Sequence, residues 1–172
     1  MILVEADADG EWDSRTGWAD LADRAVQAAV AASGQQALID SGLAIEVSVK
    51  FTTNGEVQAL NAAYRNKDKP TNVLSFPMFE AELLATIADA DGGEVLLGDI
   101  VLAHGVCAAE ADEKGVPIEA HASHLIVHGT LHLLGYDHVE EEAEAEAMED
   151  VERSALAAIV ISDPYAATEV QT

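Results

Sequence analysis

The chain is short of cysteine, of basic residues and of long apolar runs, and each shortage removes a class of protein. Cys107 is the only cysteine among 172 residues, so no intrachain disulfide can form, and a reducing compartment such as the cytoplasm fits best. Nowhere do about 20 apolar residues follow one another, the length a helix needs to cross a bilayer. The opening "MILVEADADGEWDSR" turns acidic after four residues, without the positive start and apolar stretch of a secretory signal. The expectation is a cytoplasmic protein that makes no use of a membrane. Eight Lys and Arg stand against 32 Asp and Glu, a formal net charge of −24. A chain so acidic repels nucleic acid and anionic lipid at long range. Aromatics are few, yet 49% hydrophobic and 23% charged residues are the proportions of an ordinary globular protein, long enough to bury a core.

The charge that is present is unevenly spread. Segment 140–152, "EEEAEAEAMEDVE", carries eight acids and no base. Arg65, Lys67 and Lys69 place three of the eight bases within five residues. By charge alone those three read as a solvated loop and the glutamates as a solvated helix face.

Periodicity supplies the elements. Ile2–Glu5 reads as a short strand. Trp18–Ala32 has helical spacing, with Gly34 as its stop. "LAIEVSVKF" alternates, putting Ile45, Val47, Val49 and Phe51 on one face of a half-buried strand. Thr53 or Asn54 caps a helix to about Tyr64, with Val57, Leu60 and Tyr64 as the expected buried stripe. Val73–Phe76 is a strand ended by Pro77, and residues 78–93 read as a helical turn or a surface excursion. The strand 94–103 contains Gly98 and Asp99, a bulge or a close approach. His104–Lys114 follows as a helix, then a second from Pro117 to about Leu134 stopped by Gly135, then a third over roughly 140–161 with Met148 and Leu156 in the core. The expected architecture is α+β, a small mixed β-sheet packed against several helices. Residues 1–163 are expected to form one domain, the metal-dependent hydrolase domain that the motifs below point to, and 164–172 a flexible C-terminal tail.

The densest signal is "HGTLHLLGYDH", residues 128–138. His128 and His132 are four apart on the predicted helix and project one turn apart from one face. Two imidazoles at that spacing are half of a tetrahedral metal site. His124 cannot complete it, because eight residues of helix separate it from His132 by about 12 Å of rise. The third ligand comes from chain that has turned back past Gly135, which is His138. Three protein ligands leave a fourth position open for water, whose pKa zinc lowers to about 7. His124 is a candidate support for a ligand ring nitrogen, and Asp137 either orients an imidazole or caps the turn. His104 and His121 read as packed or hydrogen-bonded histidines. Peptidases of the H-E-x-x-H kind place a glutamate base after the first histidine; here that position is Gly129.

"HASHLIVHGTLHLLGYDH" (121–138) resembles the histidine signature of the YbeY family of endoribonucleases. "LNAAYRNKDKPTNVLSFP" (60–77) and "LGDIVLA" (97–103) resemble two further blocks of that family, in the same order. The resemblance implies a zinc-dependent, single-strand-directed endoribonuclease acting in 16S ribosomal RNA 3′-end maturation and ribosome quality control. It implies one Zn2+ on His128, His132 and His138, with Arg65 needed for RNA processing. Lys67 and Lys69 then become candidate RNA contacts, with the acidic last helix facing away. Implied partners are ribosomal RNA, the small ribosomal subunit and ribosome-associated proteins. Asn72 departs from the family pattern, which more often has aspartate, and no catalytic role is assigned to it. The competing readings are a metal-dependent peptidase or other hydrolase, and a non-catalytic ribosome-associated zinc protein.

Overall fold

A computed structural model describes residues 1–136, 142–159 and 161, with the side chains of 142–144 not included. The expected ligand His138, its neighbour Asp137 and the expected tail 164–172 lie outside the described residues.

The elements run β1 (Ile2–Ala8), α1 (Trp18–Ala32), α2 (Gln36–Asp40), β2 (Ala44–Thr52), α3 (Asn54–Arg65) and β3 (Val73–Pro77). A 3-10 turn over Ala81–Leu83 leads into α4 (Leu84–Ala88). Then come β4 (Glu94–Ala103), α5 (His104–Lys114), α6 (Ile118–Leu133) and α7 (Glu142–Ala158). The sheet order is β1-β2-β4-β3. β1 and β2 pair parallel, as do β2 and β4, while β3 runs antiparallel to β4. The fold is therefore α+β with a mixed sheet, as the periodicity implies.

Alternation sorts the two sheet faces. Ile45, Val47, Val49 and Phe51 of β2 are buried in one core with α1, α6 and α7. Small residues on α1, Ala22, Ala25 and Ala29, are completely buried there. The opposite face shows Glu46, Ser48 and Lys50, half-exposed. α3 covers only its β3–β4 side, where Val57 joins Leu74, Val101 and Ala103 in a second small core. Thr53 caps α3 by accepting a hydrogen bond from the Glu56 backbone N–H at 3.1 Å, which satisfies a donor the first helical turn leaves open.

Several expectations are corrected. Tyr64 is 70% exposed rather than buried; it lies edge-on to Phe76 at the rim of α3, with ring centroids 5.6 Å apart. α2 has no counterpart in the periodicity, since a five-residue helix burying only Leu38 shows no repeating stripe. Pro117 stands just before α6 in extended conformation rather than as its first helical residue. Of the two readings of residues 78–93 the helical one holds, with Leu84 and Ile87 of α4 buried.

β4 does contain both features expected of it. Its register against β2 slips between Glu46 and Val47, leaving Leu97 as the extra residue of a bulge. Immediately after it, Gly98 passes so close to α6 that an added Cβ would lie 2.5 Å from a Leu133 methyl carbon. That close approach seats α6 across the sheet. No helix among the described residues is long and apolar enough to cross a membrane.

Candidate active site

α6 is apolar almost all round because α1, α5, α7, β3 and β4 enclose it. Its histidines are therefore the polar interruptions of a core helix, and each must find a partner or a cavity. His128 and His132 face the cleft between α6 and β3. That cleft, about 700 Å3, is lined by His128, Gly129, His132, Gly135 and Tyr136 on one side. Arg65, Lys67 and Thr71 through Ser75 lie on the other, with Pro77.

The helix end fixes His132. The Gly135 N–H donates to the His132 carbonyl and the Tyr136 N–H to the Leu131 carbonyl, both at 3.0 Å, the paired bonds of a Schellman stop. Gly135 has φ +96°, and a Cβ there would strike the Ala81 methyl at 2.6 Å, so no other residue fits the turn. The reversal carries the Tyr136 carbonyl back to His132 Nδ1 at 2.8 Å. A carbonyl only accepts, so His132 Nδ1 carries the proton and its Nε2 is left with a lone pair. His128 Nδ1 lies 3.5 Å from Glu152 Oε2, a carboxylate that likewise only accepts. The two Nε2 atoms thus face each other at hydrogen-bond distance, 3.0 Å apart.

Two imidazole nitrogens turned to one point at that distance can share a proton or a metal cation. Nitrogens each 2.0–2.1 Å from a tetrahedral zinc would be about 3.3–3.4 Å apart, close to the spacing found. His128 and His132 therefore fit a metal ion with no change of rotamer. Among the described residues no group of three His, Cys, Asp or Glu could hold a metal on its own. Cys107 is not a candidate, since burial pushes its thiol up to about 12.

Arg65 sits at the end of α3, its guanidinium over the Phe76 ring at 5.5 Å and donating to the Ser75 carbonyl at 2.6 Å. Lys67 lines the same cleft, whereas Lys69 is not among the lining residues. Among the described residues that line it there is no Asp or Glu either. In a chain with 32 acids, this is the feature that composition hides.

The model of the family described as Endoribonuclease YbeY matches residues 11–160. The chain belongs to the YbeY family. A protein from Rhizorhabdus wittichii named Endoribonuclease YbeY is 57% identical over 98% of this chain and 99% of its own. One of the same name from Zymomonas mobilis is 54% identical over 96% and 93%. A solution structure of a Thermotoga maritima protein shares the fold, with TM-score 0.53 and 21% identity over 92% of this chain and 91% of that one.

Two residues of this YbeY-family site escape sequence reasoning. Glu152 of α7 is only 1% exposed, which corrects the reading of the helix's glutamates as a wholly solvated face turned away from the site. Its Oε1 accepts from His124 Nε2 at 2.6 Å, so His124 reaches His128 through this carboxylate, the two rings being 6.4 Å apart. Burial pushes the Glu152 carboxyl up, but hydrogen bonds from His124 and His128 and their charge outweigh it and bring it to about 2. The signal was spacing: Met148, Glu152 and Leu156 share one helical stripe, and the flanking pair is apolar.

Glu110 of α5 is the other. It accepts from the Asn72 amide at 3.1 Å and pairs with His121 Nε2 at 2.8 Å. This gives Asn72 a physical reason, since an aspartate there would set a second carboxylate against Glu110. Gly129 is equally informative. A Cβ at that position would press on Ile100 of β4 at 3.2 Å, so the helix face that a peptidase's glutamate would occupy is packed onto the sheet.

Burial holds His121 below the ordinary imidazole range, with the Glu110 bond acting in the opposite direction. Unfolded chains therefore take up this proton first as pH falls below about 6.5, and the folded state loses stability on acidification. His121→Gln keeps a donor toward Glu110 without the titration. Its melting temperature should fall less than wild type's between about pH 7 and pH 5; equal falls would refute the assignment.

Proposed function

We propose that this chain is a zinc-dependent, single-strand-directed endoribonuclease that acts on 16S ribosomal RNA in 3′-end maturation and ribosome quality control. The observation that carries the proposal is the cleft itself, which joins two convergent imidazoles to Arg65 and Lys67 on facing walls. The names of the relatives, Endoribonuclease YbeY, support the same reaction.

His128, His132 and His138 would hold the zinc, His138 on the strength of the motif. When bound, zinc supplies a positive centre that polarises a phosphate oxygen or lowers the pKa of water to about 7. The protein's own part is positioning. Tyr136 and Glu152 hold the two imidazoles with their Nε2 atoms turned to one point. Arg65 offers a planar fork of donors matched to a phosphate, and Lys67 adds a point charge. A single strand laid along the cleft would place its backbone between them. Repulsion from the −24 charge makes intrinsic RNA affinity weak and salt-sensitive. The small ribosomal subunit and its associated proteins would then supply the rest of the binding, in the cytoplasm.

The test is cleavage of a single-stranded ribosomal RNA fragment by Arg65→Ala and His128→Ala proteins. Removing one donor aimed at developing charge costs about 10²–10³ in rate, and the histidine variant should fall at least as far. Wild-type rates from both variants, with contaminating nucleases excluded, would overturn the proposal.

A further inference from the structure

Glu152 presents an energetic oddity. α7 packs on α1 and α6 through Met148, Ala155 and Leu156, each no more than 1% exposed. Glu152 lies one turn after the first and one turn before the last, at the same 1%. A carboxylate in such a stripe carries a desolvation penalty that its partners must repay. An apolar residue of similar volume would complete the stripe without that cost, and buried ion pairs replaced in this way often leave a protein no less stable. Packing therefore does not account for an acid at this position. Its two oxygens divide between two rings instead, one to His124 at 2.6 Å and one to His128 at 3.5 Å.

We infer that Glu152 is a positioning residue for the metal centre, fixing the proton of His128 on Nδ1 so that Nε2 is presented as a ligand. The inference rests on the reading of His128 and His132 as metal ligands. A neutral imidazole has one proton and two nitrogens, and the nitrogen that donates is set by its acceptor. With no acceptor at Nδ1, His128 is free to take the other tautomer, whose Nε2–H points at His132 and excludes a cation. An acceptor-only partner removes that tautomer and makes the ring a stronger base toward metal. His132 obtains the same service from the Tyr136 carbonyl. His124 in turn anchors the near oxygen of the carboxylate, so the order of dependence is His124, Glu152, His128. The ion is thereby coupled to α7, a helix that sends no metal ligand of its own from its described side chains.

Glu152→Gln is the informative substitution. An amide has one acceptor and one donor, so satisfying His124 with its oxygen turns the NH2 toward His128 and selects the wrong tautomer there. In the purified full-length protein, competition with a chromophoric chelator should show Zn2+ held about 10–100-fold more weakly, with the melting curve of the metal-free protein little changed. A second measurement needs no variant. Nitrogen NMR of the metal-free wild type, above the titration range of its histidines, should show His128 protonated at Nδ1 and bare at Nε2. If Glu152→Gln binds Zn2+ as tightly as wild type, or if wild-type His128 carries its proton on Nε2, the inference falls. If wild type itself takes up no Zn2+, it is the reading of the ligands that falls. Should the variant not fold, the wild-type ring spectrum alone decides.

Discussion

His132→Ala should yield a protein that folds, carries no zinc and cuts ribosomal RNA about a thousandfold more slowly. The rate follows from the chemistry assigned to the site. A divalent ion contributes several kcal/mol of stabilisation to charge developing on phosphate, and about 4 kcal/mol corresponds to about three powers of ten. The stability cost is smaller. His132 is half-buried beside the cleft, and its Nδ1 contributes one hydrogen bond to the Tyr136 carbonyl, worth about 1 kcal/mol. The Schellman bonds that end α6 are made by backbone and survive the change. Metal analysis, RNA cleavage and thermal melts on one preparation check all three parts. The same melts separate catalysis from the reading of a structural zinc. A structural ion contributes folding energy outright, so chelation would then unfold wild type. An open site with only three protein ligands predicts a melting temperature lowered by a few degrees, with activity gone.

The legible part of this protein was what repeats. β2 alternates over nine residues and α1 repeats over fifteen, so both faces of the sheet and its main covering helix could be read from periodicity. The histidine pair was legible for the same reason, as four residues on a helix is a fixed geometry. Contacts between distant elements were not. Nothing local to α7 shows that the stripe carrying Glu152 lands on His128, 24 residues away. Nothing local to Arg65 shows that β3 brings it opposite α6, across a cleft whose described lining holds no carboxylate. The net charge was misleading for that reason, being a sum over the whole surface when substrate binding depends on one cleft. Tyr64 illustrates the converse error. Helical spacing correctly placed it in line with Val57 and Leu60, but Tyr64 meets the edge of Phe76 and lines an open pocket above the sheet, so the last residue of the stripe stays exposed.

Gly98→Ala should destabilise the fold by about 2–3 kcal/mol and depress RNA cleavage, although residue 98 does not touch the cleft. Its added methyl would sit 2.5 Å from a Leu133 methyl carbon and 2.6 Å from the Phe76 carbonyl oxygen. A flexible leucine can yield, but the carbonyl belongs to β3, paired with β4 directly opposite Gly98 through Pro77. Relief therefore requires β3 to move away from β4, or α6 to lift from the sheet. Either motion changes the spacing between Arg65, which is tied to the Ser75 carbonyl of β3, and the two histidines near the end of α6. Strand and helix are the two walls of the site, and Gly98 sets their separation. The expected signature is a lower midpoint in urea together with a cleavage defect that persists well below the unfolding range, while Zn2+ affinity, set by α6, its reversal and Glu152 of α7, changes little. An alanine variant with wild-type midpoint and wild-type rate would show that the walls are not held apart at this crossing.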